Sequence, residues 1–397
     1  MIDRIKRFSN KNKLCYYLIY VLFNLYGILF SILCIIMRIF PIRENKIVCC
    51  NMKGKRYGDN PKYIADELLR RNLDYEIVWL MKSMENVELP KGIRPVKYTP
   101  VLIAYHLATA KIWIDSNTKP LGVRKRKGQY YIQTWHGSYG LKKMYGDIPD
   151  KMNLFDKRNI QYNSKIQDLF VSNSDFYSEI YRRAFWYSGE ILKCGSPRND
   201  IFFTENQQCL LRVQTFFKIK DKKIALYAPT YRNDFDTDAY HLDFERLREN
   251  LSKRFGGEWV ILVRLHPHNM MDAEKFLDYT DTIINATGYS VMQELLVASD
   301  ILISDYSSCM FDFVTTKKPC FMYASDAEKY KKEHDFYFNI YELPFPLAEN
   351  NDEMEKKILQ FDYDLYQKAL ENMFDKVGLC ESGTACTQVV EWIEAHA

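Results

Sequence analysis

One stretch of the chain alternates apolar strands with helices, and this order constrains the fold more than any other feature. The stretch covers residues 259–321 and opens with an apolar strand at 260–263. An amphipathic helix is predicted over 291–298, and a second apolar strand at 301–303 precedes a further helix. Strand–helix–strand–helix order implies a parallel sheet with right-handed crossover connections. The sequence therefore predicts an α/β fold.

Polar side chains follow both strands. Arg264, His266 and His268 come after the first strand, and Ser307 and Ser308 come after the second, just before a helix. Ligands of parallel sheets bind at the carboxyl ends of the strands, so we expect these side chains to share one crevice. A helix start with free N–H groups attracts an anion. The cluster predicts a site for a phosphorylated ligand, although each serine can serve only as a cap and His266 can be structural.

Length and composition exclude several classes of protein. A chain of 397 residues with 47% apolar and 27% charged residues is globular and long enough for two domains. A net charge of +4, without a basic stripe interleaved with aromatic residues in the globular part, argues against nucleic-acid binding. None of the ten cysteines forms a CxxC pair, which indicates reduced thiols rather than disulfides or a zinc site.

The N-terminal segment predicts contact with a membrane. Residues 15–37 carry no charge and are flanked on both sides by basic residues. The run is long enough to span a bilayer and too long for the core of a signal peptide. Because basic flanks prefer the cytoplasmic side, an interfacial or re-entrant anchor with both ends in the cytoplasm is favoured over a single span. A buried helix of a soluble protein is the alternative.

The following residues read as half of a Rossmann-like domain. Strands are predicted at 46–50, 75–81 and 111–115, with helices at 63–71 and 102–110 between them. The glycines do not form a GxGxxG pattern, so no dinucleotide site is indicated.

A second candidate group follows the strand predicted at 130–134. His136 lies between a tryptophan and Gly137. Histidine is suited to accept a hydroxyl proton near neutral pH, and glycine lets the backbone approach a ligand closely. A structural histidine is the alternative. Arg198, in a turn, and Arg232, after a strand that begins at residue 223, are further candidate phosphate contacts.

Six motifs follow one another along the chain: QTWHG (133–137), GSPRND (195–200), LYAPTYR (226–232), VRLHPH (263–268), MQELLVASDILISDYSS (292–308) and FDF…KKP (311–319). With these motifs, in this order, the chain resembles the CDP-glycerol glycerophosphotransferases of bacterial teichoic acid synthesis. The resemblance covers roughly residues 46–390, and the length resembles the short, priming-type members. Ser196 stands where this family often has Tyr, and Asn339 where it often has Asp, which leaves the choice of donor open.

The resemblance implies two Rossmann-like domains facing a cleft, the GT-B arrangement. We expect a membrane anchor at 1–45, an acceptor-side domain at 46–200, a CDP-donor domain at 201–385 and a C-terminal helix at 386–397. Residues 188–208 are expected to connect the domains, and the last helix to pack back on the first domain.

The resemblance also implies an activity. The enzyme is expected to transfer glycerol phosphate from CDP-glycerol to a hydroxyl of a polyprenyl-diphosphate-linked saccharide or glycerophosphate acceptor. The reaction releases CMP. It is expected to take place at the cytoplasmic face of the membrane, as a step of teichoic acid or capsule synthesis. Carried over by motif, His136 and His266 are the essential pair, while Arg264 and the helix start at Ser307 and Ser308 hold the donor phosphates.

Within this scheme His136 is predicted to be the general base, and Arg232 to help hold the diphosphate. His268 can exchange roles with His266, and Glu294 is a candidate ribose contact. No cofactor is expected and no acidic cluster has metal-ligand spacing, although Asp305 is a candidate ligand for Mg²⁺.

Three other readings stay open. CDP-ribitol can replace CDP-glycerol as the donor, or a GT-B glycosyltransferase can use a nucleotide sugar. A non-catalytic subunit that binds a polyprenyl-diphosphate lipid is the third, and the paired histidines argue against it. The sequence leaves open whether the chain forms a homo-oligomer.

Overall fold

Two parallel β-sheets, each covered by helices, organise the protein. The computed structural model describes residues 13–85, 87–137, 140–204, 206–232, 240, 242–266 and 278–397. We call the first sheet with its helices the N-lobe and the second the C-lobe. Both sheets are parallel throughout their described strands.

The N-lobe sheet has seven strands in the order β3-β2-β1-β4-β5-β6-β7. The chain order reverses between β1 and β4, which is where a doubly wound sheet opens its ligand crevice. The strands are β1 (Arg43–Cys50), β2 (Glu76–Met81), β3 (Ile93–Lys97), β4 (Ala110–Asp115), β5 (Tyr130–Gln133), β6 (Leu169–Ser172) and β7 (Glu190–Lys193).

The C-lobe sheet repeats this topology with six strands in the order β10-β9-β8-β11-β12-β13. Its reversal lies between β8 and β11. The strands are β8 (Lys223–Tyr227), β9 (Trp259–Val263), β10 (Ile283–Asn285), β11 (Ile301–Ser304), β12 (Cys320–Tyr323) and β13 (Leu347–Ala348).

Helices connect the strands and cover the sheets. They are α1 (Lys13–Ile36), α2 (Asp59–Arg70), α3 (Pro100–Thr109), α4 (Leu154–Ser164), α5 (Asp175–Arg183), α6 (Ile201–Thr204), α7 (Asn206–Phe217), α8 (Phe244–Phe255), α9 (Met292–Ala298), α10 (Cys309–Phe313), α11 (Ala327–Glu333), α12 (Asn351–Leu359), α13 (Tyr363–Val377) and α14 (Ala385–His396).

The two faces of the N-lobe sheet bury different helices. On one face, Val389 and Ile393 of α14 pack with Ile64 of α2, so the last helix returns to the N-lobe as predicted. On the other face, Phe30 of α1 packs with Ile103 of α3. The C-terminus and the N-terminal helix therefore both stabilise the N-lobe.

Helix α1 lies along the N-lobe with one side against the protein. At its middle it meets a tight turn, since a β-carbon on Gly122 would lie 1.9 Å from the carbonyl oxygen of Gly27. The rings of Tyr16, Tyr20 and Phe23 make T-shaped contacts with the ring of Phe155 in α4. The opposite side of α1 is apolar and exposed, at Leu14, Leu18, Val21, Leu22, Leu25, Ile28, Leu29, Ile32, Ile35 and Ile36.

Most of the basic residues at 124–127 form contacts within the N-lobe, including one with α1. Arg124 donates to Ser31 Oγ of α1, and Lys125 forms a salt bridge with Asp168. Arg126 Nη1 donates to the carbonyl oxygens of Phe40 and Ala108 at 2.8 and 3.2 Å. Three of the four cations are thus engaged inside the protein.

Hydrogen bonds join the two lobes beside the cleft, in addition to the chain that connects them. Residues 141–143 pair with 335–337, through Tyr337 N to the Leu141 oxygen and Lys143 N to the Asp335 oxygen, both at 2.8 Å. The Tyr337 hydroxyl donates to Asp147 Oδ2 at 2.6 Å. One continuous set of buried side chains includes Trp135 and Phe170 of the N-lobe together with most of the C-lobe core. The lobes are therefore packed on each other as well as covalently linked.

One predicted boundary was wrong, and one strand was not predicted. Residues 190–193 were assigned to the interdomain connection but form β7, the edge strand of the N-lobe sheet. Its half-exposed side chains give it no apolar pattern. Strand β10 was missed because it has only three residues, and only one of them is fully buried.

Candidate functional site

His136 is held in an orientation suited to accepting a proton. It follows β5, and its Nδ1 lies 2.7 Å from the carbonyl oxygen of Ser116, which follows the neighbouring strand β4. A carbonyl can only accept, so Nδ1 carries the proton and donates it. Nε2 of the neutral ring is then left with its lone pair. This tautomer is the one that a general base needs.

The surroundings of His136 keep the ring neutral. Burial lowers the pKa of His136 below its usual value, and the Arg198 guanidinium acts in the same direction. The Asp59 carboxylate and the hydrogen bond to Ser116 oppose this shift. The ring therefore remains available as a base below its ordinary titration range.

Several contacts fix the backbone that carries His136. Trp135 adopts a left-handed conformation with φ of 53°, which is unfavourable for a bulky residue. Its N–H donates to Gln133 Oε1 at 2.8 Å, and Asn60 Nδ2 donates to the oxygens of Thr134 and Trp135 at 3.2 and 3.3 Å. The Trp135 ring lies over the His136 ring, with centroids 4.2 Å apart.

Gly137 brings the N-lobe close to the C-lobe. A β-carbon built on Gly137 would lie 3.9 Å from Ser308 Oγ and 3.8 Å from the Tyr177 hydroxyl. Ser308 precedes α10, as predicted, but its side chain makes no capping hydrogen bond. The His136 loop and the Ser307–Ser308 turn, predicted separately from sequence, therefore face each other.

Arg264 is a buried cation. Its residue is 7% exposed, and its Nη1 donates to the carbonyl oxygen of Tyr289 at 2.7 Å. Among the described residues no carboxylate forms a salt bridge with it. Burial lowers the pKa of Arg264 to about 10, and repulsion from Arg56 of the N-lobe adds to the shift. The guanidinium is still charged at neutral pH, so it can bind an anion.

His266 is exposed just beyond β9, with its ring centroid 5.6 Å from that of Tyr231. Strand β8 separates β9 from β11. Neighbouring strands lie about 4.8 Å apart, so the carboxyl ends of β9 and β11 are about 10 Å apart across the sheet. A nucleoside diphosphate can bridge such a span. His268 lies outside the described residues.

Arg232 and Asp305 are engaged with each other. Arg232 Nη2 donates to Asp305 Oδ2 at 2.8 Å, and its Nε donates to Asp326 Oδ2 at 2.7 Å. The other Asp305 oxygen accepts from the backbone N–H and hydroxyl of Thr230 and from Tyr306 N. This arrangement fixes the turns after β8 and β11, which favours a structural role for both side chains over phosphate or Mg²⁺ binding.

Arg198 and Glu294 are also held by protein partners. Arg198 forms salt bridges with Asp59 and Asp312. Glu294 accepts from Tyr289 Oη at 2.5 Å and from Arg212 Nε at 3.0 Å. Tyr289 also accepts from Arg264 through its carbonyl oxygen, so Glu294 is linked to Arg264 through Tyr289, and each of its carboxylate oxygens has a protein partner.

Sequence reasoning missed the residues that orient His136. Ser116 and Asn60 belong to none of the six motifs, and Asp312 lies in the FDF motif but was given no role. The roles of all three depend on contacts between segments distant in sequence. The available signal was positional, since Ser116 directly follows the strand at the topological switch point. Among the described residues, no group of three or more His, Cys, Asp or Glu side chains is arranged to hold a metal ion.

Comparison with known proteins identifies the family. Residues 32–395 match the family described as CDP-Glycerol:Poly(glycerophosphate) glycerophosphotransferase. The chain belongs to this family. The resemblance carried by the six motifs is thereby confirmed, and the prediction of an enzyme is confirmed at the level of the family.

Relatives of two lengths match the chain. It is 31% identical over 367 residues to the teichoic acid poly(glycerol phosphate) polymerase of Staphylococcus epidermidis, covering 89% of this chain and 51% of that protein. It is 30% identical to the teichoic acid glycerol-phosphate transferase of Staphylococcus aureus, covering 88% and 93%. The chain thus spans about half the length of the first relative and most of the second.

Solved structures confirm the predicted fold class. The wall teichoic acid polymerase TagF superposes with a TM-score of 0.79 at 30% identity, covering 89% of each chain. A UDP complex of Staphylococcus aureus MnaA gives a TM-score of 0.53 at 13% identity, which shows the shared fold alone. Two Rossmann-like lobes facing a cleft are therefore the architecture of this protein.

Proposed function

We propose that the chain transfers glycerol phosphate from CDP-glycerol to a hydroxyl of a lipid-linked acceptor and releases CMP. The family membership and the structure of TagF with CDPG support this donor. The observation that carries the proposal is the His136 ring. Its Nδ1 donates to the Ser116 oxygen, which leaves the lone pair of Nε2 as the proton acceptor of the ring, and Arg264 of the C-lobe is buried without a salt bridge to any carboxylate of the described residues.

In the proposed reaction, His136 Nε2 takes the proton of the acceptor hydroxyl. The oxygen attacks the phosphorus that bears glycerol, and the bond from that phosphorus to the bridging oxygen breaks, so CMP leaves. Arg264, His266 and the backbone N–H groups at Ser307 and Ser308 hold the diphosphate and stabilise its developing charge. The donor already carries the activated phosphate, so the scheme needs no organic cofactor.

We propose that the acceptor is a polyprenyl-diphosphate-linked saccharide or its glycerophosphate-extended form. Length does not decide between priming and polymerisation. A poly(glycerol phosphate) polymerase of Bacillus spizizenii is 27% identical, and the match covers 94% of this chain and 96% of that protein. The number of units added is therefore an outcome of the assay below.

We further propose that α1 lies in the interface of the cytoplasmic membrane leaflet. The helix is long and apolar enough to cross a bilayer, and 22% of its most apolar window is buried. One side packs on α4 and the turn at Gly122, so a span would have to give up these contacts. The exposed apolar stripe beside the N-lobe fits a helix lying in the membrane plane, with both of its ends cytoplasmic.

The deciding experiment offers purified protein a synthetic polyprenyl-diphosphate disaccharide with CDP-glycerol, CDP-ribitol or a UDP-sugar, followed by mass spectrometry. We expect the mass of one or more glycerol phosphate units with CDP-glycerol, and none with His136→Ala. Ribitol phosphate addition would support the second candidate, because a poly(ribitol-phosphate) polymerase of Bacillus spizizenii is 28% identical. Hexose addition would indicate a glycosyltransferase, and no product with any donor would favour a binding subunit.

A further inference from the structure

One buried arginine touches both lobes and the backbone of His136. Arg198 lies in the single turn Pro197–Asn199, where the chain leaves the N-lobe, and is 6% exposed. Its Nη1 donates to the His136 carbonyl oxygen and to Asp59 Oδ1, both at 3.0 Å. Its Nη2 donates to Asp312 Oδ2 at 2.7 Å.

The Asp312 partner belongs to the donor side of the cleft. It lies in α10, the helix that starts directly after Ser307 and Ser308. Its other oxygen accepts from Asn199 Nδ2 at 3.2 Å, so two consecutive residues of the connecting segment hold the same carboxylate. A displacement of α10 would therefore be transmitted to Arg198.

The N-lobe side of the contact is equally defined. The backbone N–H of Arg198 donates to Asn60 Oδ1 at 3.0 Å. The Nδ2 of the same Asn60 side chain binds the oxygens of Thr134 and Trp135, directly before His136. Arg198 thus reaches the histidine segment along two routes, through its own guanidinium and through Asn60.

We propose that Arg198 is a positioning residue that couples the placement of the donor helix α10 to the placement of His136. A planar guanidinium with donors in a fixed fork can serve the carbonyl and the two carboxylates together, whereas a lysine ammonium cannot reproduce that geometry. The inference deepens the proposed function, since it assumes that His136 is the base. It also reassigns Arg198, because both Nη groups are used within the protein.

Two measurements test this role. The first is turnover of CDP-glycerol by Arg198→Met, Arg198→Lys and the isosteric Asp312→Asn. We expect kcat to fall about 10- to 100-fold in Arg198→Met, because a misplaced reacting group costs about that much, with the donor KM within threefold. Arg198→Lys should recover little of the loss, and Asp312→Asn should lower kcat in the same way.

The second measurement needs no substrate. Deuterium exchange at the His136 ring carbon against pH, read by mass spectrometry, reports the pKa of this histidine. Arg198 lowers that pKa and Asp59 raises it, so Arg198→Met should move it up and Asp59→Asn should move it down. Arg232→Met is the matched control. Arg232 is buried to the same extent and also has two carboxylate partners, but it is not among the groups that shift the pKa of His136.

The coupling is supported if the pKa of His136 moves up in Arg198→Met, moves down in Asp59→Asn and does not change in the control Arg232→Met. An unchanged His136 pKa in folded Arg198→Met, or a kcat within twofold of wild type, would overturn it. If the wild-type protein fails to turn over CDP-glycerol, the proposed function falls, whereas the exchange experiment still judges the contact between Arg198 and His136.

Discussion

Replacing Arg264 with methionine should stabilise the free protein and at the same time weaken donor binding. Burial and repulsion from Arg56 lower the pKa of Arg264 from its ordinary value to about 10. Each pKa unit corresponds to about 1.4 kcal/mol, so the charged state costs about 3 kcal/mol in the folded protein. Methionine removes this cost and retains much of the apolar packing of the arginine stem.

The gain is reduced by the lost hydrogen bond to the Tyr289 oxygen, which is worth about 1 kcal/mol. We therefore expect Arg264→Met to raise the free energy of unfolding by about 1–2 kcal/mol at neutral pH. Because the folded-state pKa of Arg264 lies below the unfolded value, the penalty is full at any pH below about 10 and fades as the pH rises through it. The gain should thus be constant across the neutral range.

Donor binding should move the other way. A hydrogen bond between charged groups contributes about 1.5–3 kcal/mol, so the dissociation constant for CDP should rise about 10- to 100-fold in Arg264→Met. Denaturant unfolding and calorimetric titration with CDP measure the two effects. Loss of stability with unchanged CDP affinity would refute the reading of Arg264 as an anion site.

Arg232→Met is the matched comparison, because Arg232 is also 7% exposed but forms salt bridges with Asp305 and Asp326. Removing one member of a buried ion pair leaves its partners uncompensated and costs about 3–5 kcal/mol. The two arginine variants should therefore change the free energy of unfolding in opposite directions. If both variants lose the same free energy of unfolding, the lack of a carboxylate partner at Arg264 does not determine its effect on stability.

Three further outcomes follow from individual contacts. Gly122→Ala should destabilise the N-lobe and reduce flotation with anionic liposomes, because the new β-carbon would lie 1.9 Å from the Gly27 oxygen. Gly128 also has a positive φ but has open space around it, so Gly128→Ala should not alter flotation. Asp305→Asn should lower turnover equally at low and saturating Mg²⁺, and rescue by excess Mg²⁺ would identify a metal ligand. Burial lowers the pKa of Lys142 to about 8. Acylation should therefore favour this half-buried amine over exposed lysines as the pH rises from 7 to 8, and uniform labelling of all lysines would contradict this.

The strand ends were the part of the site that sequence could place. Apolar segments such as β9 and β11 are short and continuous, and a parallel sheet sends the residues after them to one edge. This rule located His136, Arg264, Ser307 and Ser308 without any knowledge of their contacts. It could not tell which cations face the cleft.

Arginines illustrate this limit. Arg198, Arg232 and Arg264 all follow strands in polar motifs, and sequence treated each as a phosphate contact. Only the structure shows that carboxylates more than 70 residues away neutralise the first two. Pairing over such distances depends on how the lobes fold together, which local patterns do not encode. The orientation of α1 along the N-lobe likewise depends on a contact between two distant glycines.

The most direct test compares His136→Asn and His266→Asn in a single-turnover experiment with CDP-glycerol and a lipid-linked acceptor, beside calorimetric binding of CDP. If His136 is the base, His136→Asn should lower the transfer rate about 10²- to 10⁴-fold while CDP affinity stays within threefold. His266→Asn should weaken CDP binding as well as transfer. Near-normal transfer by His136→Asn would contradict the assignment on which the mechanism depends.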